Sequence, residues 1–179
     1  MNREEIQALI EKYKLFVKDG NVGTWRTGDV DRETFVAEVG PHKAEIIEFF
    51  DEQKRAILER RERQHANLYA IPGVPELREA RRKDSARHDA LTRMVDSGSG
   101  IMPDVDAPSA EELAALEEKY PLAVFALEAE YRANTVRNYE LSAIWRNAYN
   151  ALLDGQDAAE VKKLTETALM GFTASHIWD

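Results

Sequence analysis

Apolar side chains recur at helical spacing along most of this chain, and that regularity limits its possible folds more than any other feature. Ile6, Leu9, Ile10, Tyr13, Phe16 and Val17 trace one stripe of a period of about 3.6 residues. Asn2 with Glu5 opens the stripe as a capping-box pattern, and Asp19-Gly20 closes it where glycine can supply a left-handed cap. A first helix lying on a core by that face is expected. The same reading predicts a short helix from Asp31 to Val39 with Phe35, Val36 and Val39 inward, and then a break at Gly40-Pro41. A long helix follows from His42 to about Tyr69, with Ile46, Ile47, Phe49, Phe50, Ile57 and Leu58 on its apolar half.

Ile71-Pro72-Gly73-Val74-Pro75 reads as a turn, after which sparse apolar positions at Leu77, Ala80, Leu91, Met94 and Val95 carry a helix to about Asp96. Two largely polar helices joined by a short turn predict an antiparallel helical hairpin over residues 42–96, protruding from the body or packed along a narrow seam. Residues 97–108 combine glycine, serine, proline and acid and read as a linker. Ser109 with Glu112 then caps a helix through Leu113, Leu116 and Tyr120, interrupted at Pro121. From Leu122 to Leu153, apolar residues including Phe125, Ala129, Val136, Ala143, Ala148 and Leu152 are read as a helical face and predict a central core helix. Gly155 ends it, and Asp157 with Glu160 caps a last helix through Val161, Leu164, Ala168 and Leu169.

The expected fold is therefore all-α, a helical bundle with a short hairpin or extended turn only near residues 21–29, where glycine and polar residues exclude a helix. Its organisation is an N-terminal helical region 1–96 that includes the basic hairpin 42–96, a linker 97–108 and a C-terminal helical region 109–179. These regions are expected to fold as one cooperative domain, since 179 residues suit one domain of ordinary size and 44% hydrophobic residues suffice for a core.

Cysteine is absent, which removes disulfides, thiolate metal sites and cysteine nucleophiles and fits a reducing compartment. The N-terminal stretch sets charges among its apolar residues, unlike a signal peptide or a membrane span, so the expected location is cytoplasmic and without a membrane partner. Neither G-x-G-x-x-G nor G-x-x-x-x-G-K-[ST] occurs, and G-x-S-x-G, H-E-x-x-H, EF-hand and paired C-x-x-C patterns are also missing. Glu62 and His65 form an isolated E-x-x-H, whereas a di-iron bundle needs a second such pair and further inward carboxylates. Asp84 and His88, four apart, read as a surface ion pair, and His42 and His176 have no evident partner. The aromatic run from Tyr139 to Tyr149 reads as core in preference to a ligand cavity. No catalytic residue, cofactor or metal ligand is assigned.

Charge carries the remaining lead. The net charge is −9, yet residues 54–93 hold eleven Lys/Arg against six Asp/Glu. Lys54, Arg55, Arg60, Arg61 and Arg63 on one helix and Arg78, Arg81, Arg82, Lys83 and Arg87 on the next are the candidate partner- or phosphate-binding residues. Basic and acidic helices packed side by side are the plainer explanation for such segregation. Trp25, Phe172 and Trp178 are the candidate interface aromatics, and the apolar tail or the hairpin is a candidate homodimer contact.

No helix-turn-helix or RNA-binding signature accompanies the cations, and acids interrupt them, which argues against sequence-specific DNA reading. The expectation is a non-enzymatic helical module that works by contact with a protein partner. One form would be an inhibitor of a nucleic-acid enzyme encoded by a phage or mobile element, in the manner of an anti-CRISPR protein. Two rivals stand beside it: a direct nucleic-acid binder using the basic hairpin, and a small enzyme with an interhelical pocket.

Overall fold

A computed structural model describes residues 1–26, 28, 30–98 and 105–176. Among them the chain is mostly α-helical, as its apolar period requires, with one small antiparallel sheet. The chain divides into two compact units, Met1–Arg61 and Glu62–Asp179.

In the first unit, α1 (Arg3–Tyr13) starts at the expected capping box: the Asn2 side chain accepts from the Glu5 amide and Glu5 accepts from the Asn2 amide, both at 2.9 Å. The helix stops short of the expected Asp19-Gly20. Lys14 turns left-handed at φ 48°, and Phe16 and Val17 enter strand β1 (Leu15–Lys18), paired antiparallel with β2 (Asn21–Thr24). Asp19-Gly20 is not a helix cap but the two-residue turn of this hairpin, both residues having positive φ, which an Asp-Gly pair tolerates and which matches the twist of the strands. The predicted hairpin near residues 21–29 thus exists but is centred further toward the N-terminus.

Asp31 caps α2 (Arg32–Val39) by accepting from the Thr34 amide at 2.9 Å, and a 3₁₀ turn, Gly40–His42, leads into α3 (Lys43–Tyr69). Ile6, Tyr13, Leu15, Val39, Ile46 and Phe49 form the buried cluster, with the Phe35 ring edge-on to Tyr13 at 5.5 Å. Val36, expected inward, is exposed, because Phe35 and Val39, four apart, already fill the inner face of a two-turn helix.

The second unit takes the last turns of α3 and adds α4 (Val74–Ser97), α5 (Ala110–Lys119), α6 (Pro121–Thr135), α7 (Tyr139–Leu153) and α8 (Ala158–His176). Gly73 makes the entry to α4 possible. Its φ is +87°, and a Cβ there would stand 2.1 Å from Tyr120 Cγ, so the Tyr120 ring occupies the space a side chain would need. α4 packs against α5 and α6, so both sides of residues 97–108 lie in the same unit.

The expected single helix from Leu122 to Leu153 is two. Val136 is extended, and Asn138 caps a new helix by accepting from the Leu141 amide at 3.0 Å, so α6 and α7 become packed neighbours. α6 supplies the centre of the core through Ala123, Phe125, Ala126, Leu127, Ala129 and Ala133, whose small members admit neighbouring helices closely. Trp145, Ala148 and Leu152 of α7, Val161 of α8, and Leu68, Ile71, Val74 and Leu77 complete it. The last helix runs on to His176, further than expected, and no helix among the described residues is long and apolar enough to cross a membrane.

Candidate interaction surface

The two groups of cations singled out in the sequence meet different surroundings. α4 turns its group toward carboxylates. Arg78 binds Glu130 of α6 through Nη2, lies over the Tyr69 ring at 5.2 Å, and keeps a buried Nε without a partner among the described residues. Arg81 donates to Glu117 of α5 through Nε and Nη2 at 3.2 and 2.8 Å. Arg82 forks onto Glu79 one turn away at 2.8 and 2.7 Å, which holds the Glu79 carboxyl below its usual range. Lys83 donates to Asp106 at 2.7 Å, a bond that raises its pKa. Arg87 reaches the Pro108 carbonyl at 2.9 Å and Asp84 at 2.5 Å. All five therefore serve the second unit itself, and Lys83 and Arg87 tie residues 106–108 to α4.

In α3 nothing comparable happens. Every residue from Asp51 to Arg63 is exposed. The segment stays helical because it is built from Glu, Gln, Lys, Arg, Ala, Ile and Leu without glycine or proline. Lys54, Arg55, Arg60, Arg61 and Arg63 make no hydrogen bond or ion pair among the described residues. Ile57 and Leu58, expected in the core, are 52% and 49% exposed because the buried cluster of the first unit ends at Phe49 and burial resumes only at Leu68. Two large apolar side chains and five uncommitted cations thus share three turns of one helix.

The aromatic candidates divide as well. Trp25 is 73% exposed, its ring resting on Phe16 of β1 at 4.5 Å. Phe172 lies half-buried on α8, and Trp178 falls outside the described residues. His42, which had no evident partner, bonds Glu45 at 2.9 Å. His65 stacks on Tyr69 at 4.2 Å, and no group of three or more His, Cys, Asp or Glu among the described residues is placed to hold a metal. His88 stands 3.7 Å from Asp84, the surface pair expected of that spacing.

The aromatic run of α7 splits between core and surface: Trp145 is buried, Tyr139 is 85% exposed, and Tyr149 is half-buried with its hydroxyl 3.4 Å from Glu130. Burial, then Glu130, raises the Tyr149 pKa. Beside it, α7 and α8 form an open groove of about 270 Å³ lined by Ile144, Ala148, Ala151, Val161, Leu164 and Ala168, with Asn147, Gln156 and Thr165 as its polar lining and no titratable side chain. Comparison of the chain with protein-family models, with curated proteins and with solved structures finds no match.

Proposed function

We propose that this chain is a non-enzymatic helical protein-interaction module that meets its partner through the middle of α3. The observation that supports the reading is the uncommitted stretch around Ile57 and Leu58, where cations and apolar side chains stand exposed together while the cations of α4 are used internally. Arginine is enriched at protein interfaces and in their hot spots, and the buried centre of an interface is more apolar than its rim. Asp51, Glu52, Glu59 and Glu62 lie in the same stretch. Their interruption favours a mixed-charge protein surface over a uniform phosphate backbone.

An inhibitor of a nucleic-acid enzyme is the form of this reading that uses the whole charge distribution. A body of net charge −9 can sit in a groove built for nucleic acid while the α3 cations meet acidic protein beside it. The test is a photo-crosslinking residue placed at Leu58, with a control at exposed Val95, in native extract with and without nuclease. A protein adduct specific to position 58 that survives nuclease is expected. Equal labelling from both positions, or adducts lost with nuclease, would overturn the reading and favour direct nucleic-acid binding.

A further inference from the structure

We infer that Lys54, Ile57, Leu58 and Arg61 form one stripe that takes an acidic amphipathic helix of the partner, its apolar residues over Ile57 and Leu58 and its carboxylates over the two cations. This inference rests on the interaction-module reading and specifies its chemistry. The four residues follow the i, i+3, i+4, i+7 spacing of a single helix face and span about 10 Å along the axis. Ile57 and Leu58 are each about half exposed and belong to neither buried cluster.

Charge is placed unevenly around the stripe. At about 100° per residue, Glu48, Glu52 and Glu59 fall on nearly the opposite side of α3. Asp51, three before Lys54, and Glu62, four after Leu58, border the stripe along its Leu58 edge; within residues 54–61 it presents an apolar centre between two positive ends, and Glu59, the acid of that span, is turned away.

This pattern selects the occupant. A second copy of α3 is disfavoured, since a parallel pairing sets Lys54 against Lys54, and an antiparallel pairing centred on Ile57 and Leu58 sets Lys54 against Arg61. A nucleic-acid backbone would satisfy the cations but offers nothing apolar to cover the two aliphatic side chains between them. A helix with apolar residues one turn apart and glutamate or aspartate at either end matches both features, and helix-on-helix docking supplies the geometry.

The test uses the full chain and three fluorescein-labelled helical peptides of about four turns. Each carries leucine at one-turn spacing, flanked by glutamate, by glutamine or by lysine, and anisotropy is read at about 50 and about 300 mM salt. The glutamate peptide should bind about tenfold more tightly than the glutamine peptide at low salt, and this advantage should shrink at high salt. The lysine peptide should bind least. The double variant K54E/R61E should reverse the order, and I57S/L58S should weaken every peptide. Unchanged far-ultraviolet circular dichroism and melting would show both variants folded, as substitutions on an exposed helix permit.

Equal binding of the glutamate and lysine peptides, or an unchanged preference in K54E/R61E, would overturn the inference. Crosslinking separates that failure from failure of the module itself. A native partner still captured at Leu58 by the K54E/R61E chain leaves the module standing without this chemistry. Loss of the adduct in the wild-type chain removes both.

Discussion

α3 and α4 follow one another in the chain, and each carries five cations within ten residues, Lys54 to Arg63 on one and Arg78 to Arg87 on the other. In α4 those cations meet Glu130, Glu117, Glu79, Asp106, Asp84 and a backbone carbonyl; in α3 they meet no partner among the described residues. Charge composition is similar, so composition does not decide availability. Arg82 and one bond of Arg87 use acids three residues away in α4 itself; for Arg78, Arg81 and Lys83 what decides it is whether a neighbouring element brings a carboxylate within about 3 Å. A basic helix packed beside acidic helices is a structural element, and one without neighbours is a free surface.

Substitutions can break that contrast, and the largest effects belong to the cores behind it. Leu77→Ala beneath α4 and Ile46→Ala at the start of α3 each remove a side chain with 0% exposure, and each should cost about 2–5 kcal/mol. If the two buried clusters unfold separately, calorimetry should show Leu77→Ala lowering one transition and Ile46→Ala the other. A single transition lowered by both would show one cooperative domain.

Arg78→Ala comes next, at roughly 1–3 kcal/mol, because it strips Glu130 of its partner in a partly buried place and uncovers Tyr69. A double-mutant cycle with Glu130→Gln should return a coupling of roughly 0.5–2 kcal/mol in urea unfolding; no coupling would show the pair to be incidental. Arg55→Ala and Arg60→Ala in α3 should change stability by less than about 0.5 kcal/mol, and a larger loss would mean that these cations have a structural role after all.

The smallest effect is the pH dependence that the ion pairs of α4 contribute. Arg82 holds the Glu79 pKa below its ordinary value of 4.5, so the pair's contribution is complete above about pH 4.5 and is lost as pH falls through the lower folded value. Glu79→Gln should flatten the acid side of the melting-temperature profile. Asp106 raises the Lys83 pKa above its ordinary value of 10.5, so that contribution is complete below about pH 10.5 and is lost as pH rises through the folded value. Lys83→Met should flatten the alkaline side, and unchanged profiles in both variants would show that solvent screens the two pairs completely.

The particular readings that held and those that moved have local reasons. Asn2 with Glu5 and Ser109 with Glu112 announced their helices because a capping box needs only four consecutive residues. Asp19-Gly20 misled because glycine with positive φ serves a helix cap and a two-residue hairpin equally. The deciding signal lay beside it, in Leu15-Phe16-Val17 before the turn and Val22 after it. The break at residues 136–138 shows in the phase, since at about 100° per residue Ala148 and Leu152 fall on nearly the opposite side from Phe125, Ala129 and Val136, a shift masked by Ala143, which stays in line with Phe125. Asn138, a good cap, was the visible clue. Ile57 and Leu58 looked like core because they extend the stripe begun by Ile46 and Phe49, and helical phase carries no information about where a neighbouring helix stops.

The amino-acid sequence by itself determined the helical class, most of the caps and the identity of the ten cations, because these depend on residue type and on spacing over a few turns. That other elements engage Arg78, Arg81 and Lys83, that the five cations of α3 find no partner among the described residues, and that two aliphatic side chains lie exposed among those five, was decided only by tertiary structure. Burial and ion pairing depend on elements distant in the chain: Arg78 meets Glu130 across fifty-two positions, a juxtaposition that no local pattern encodes.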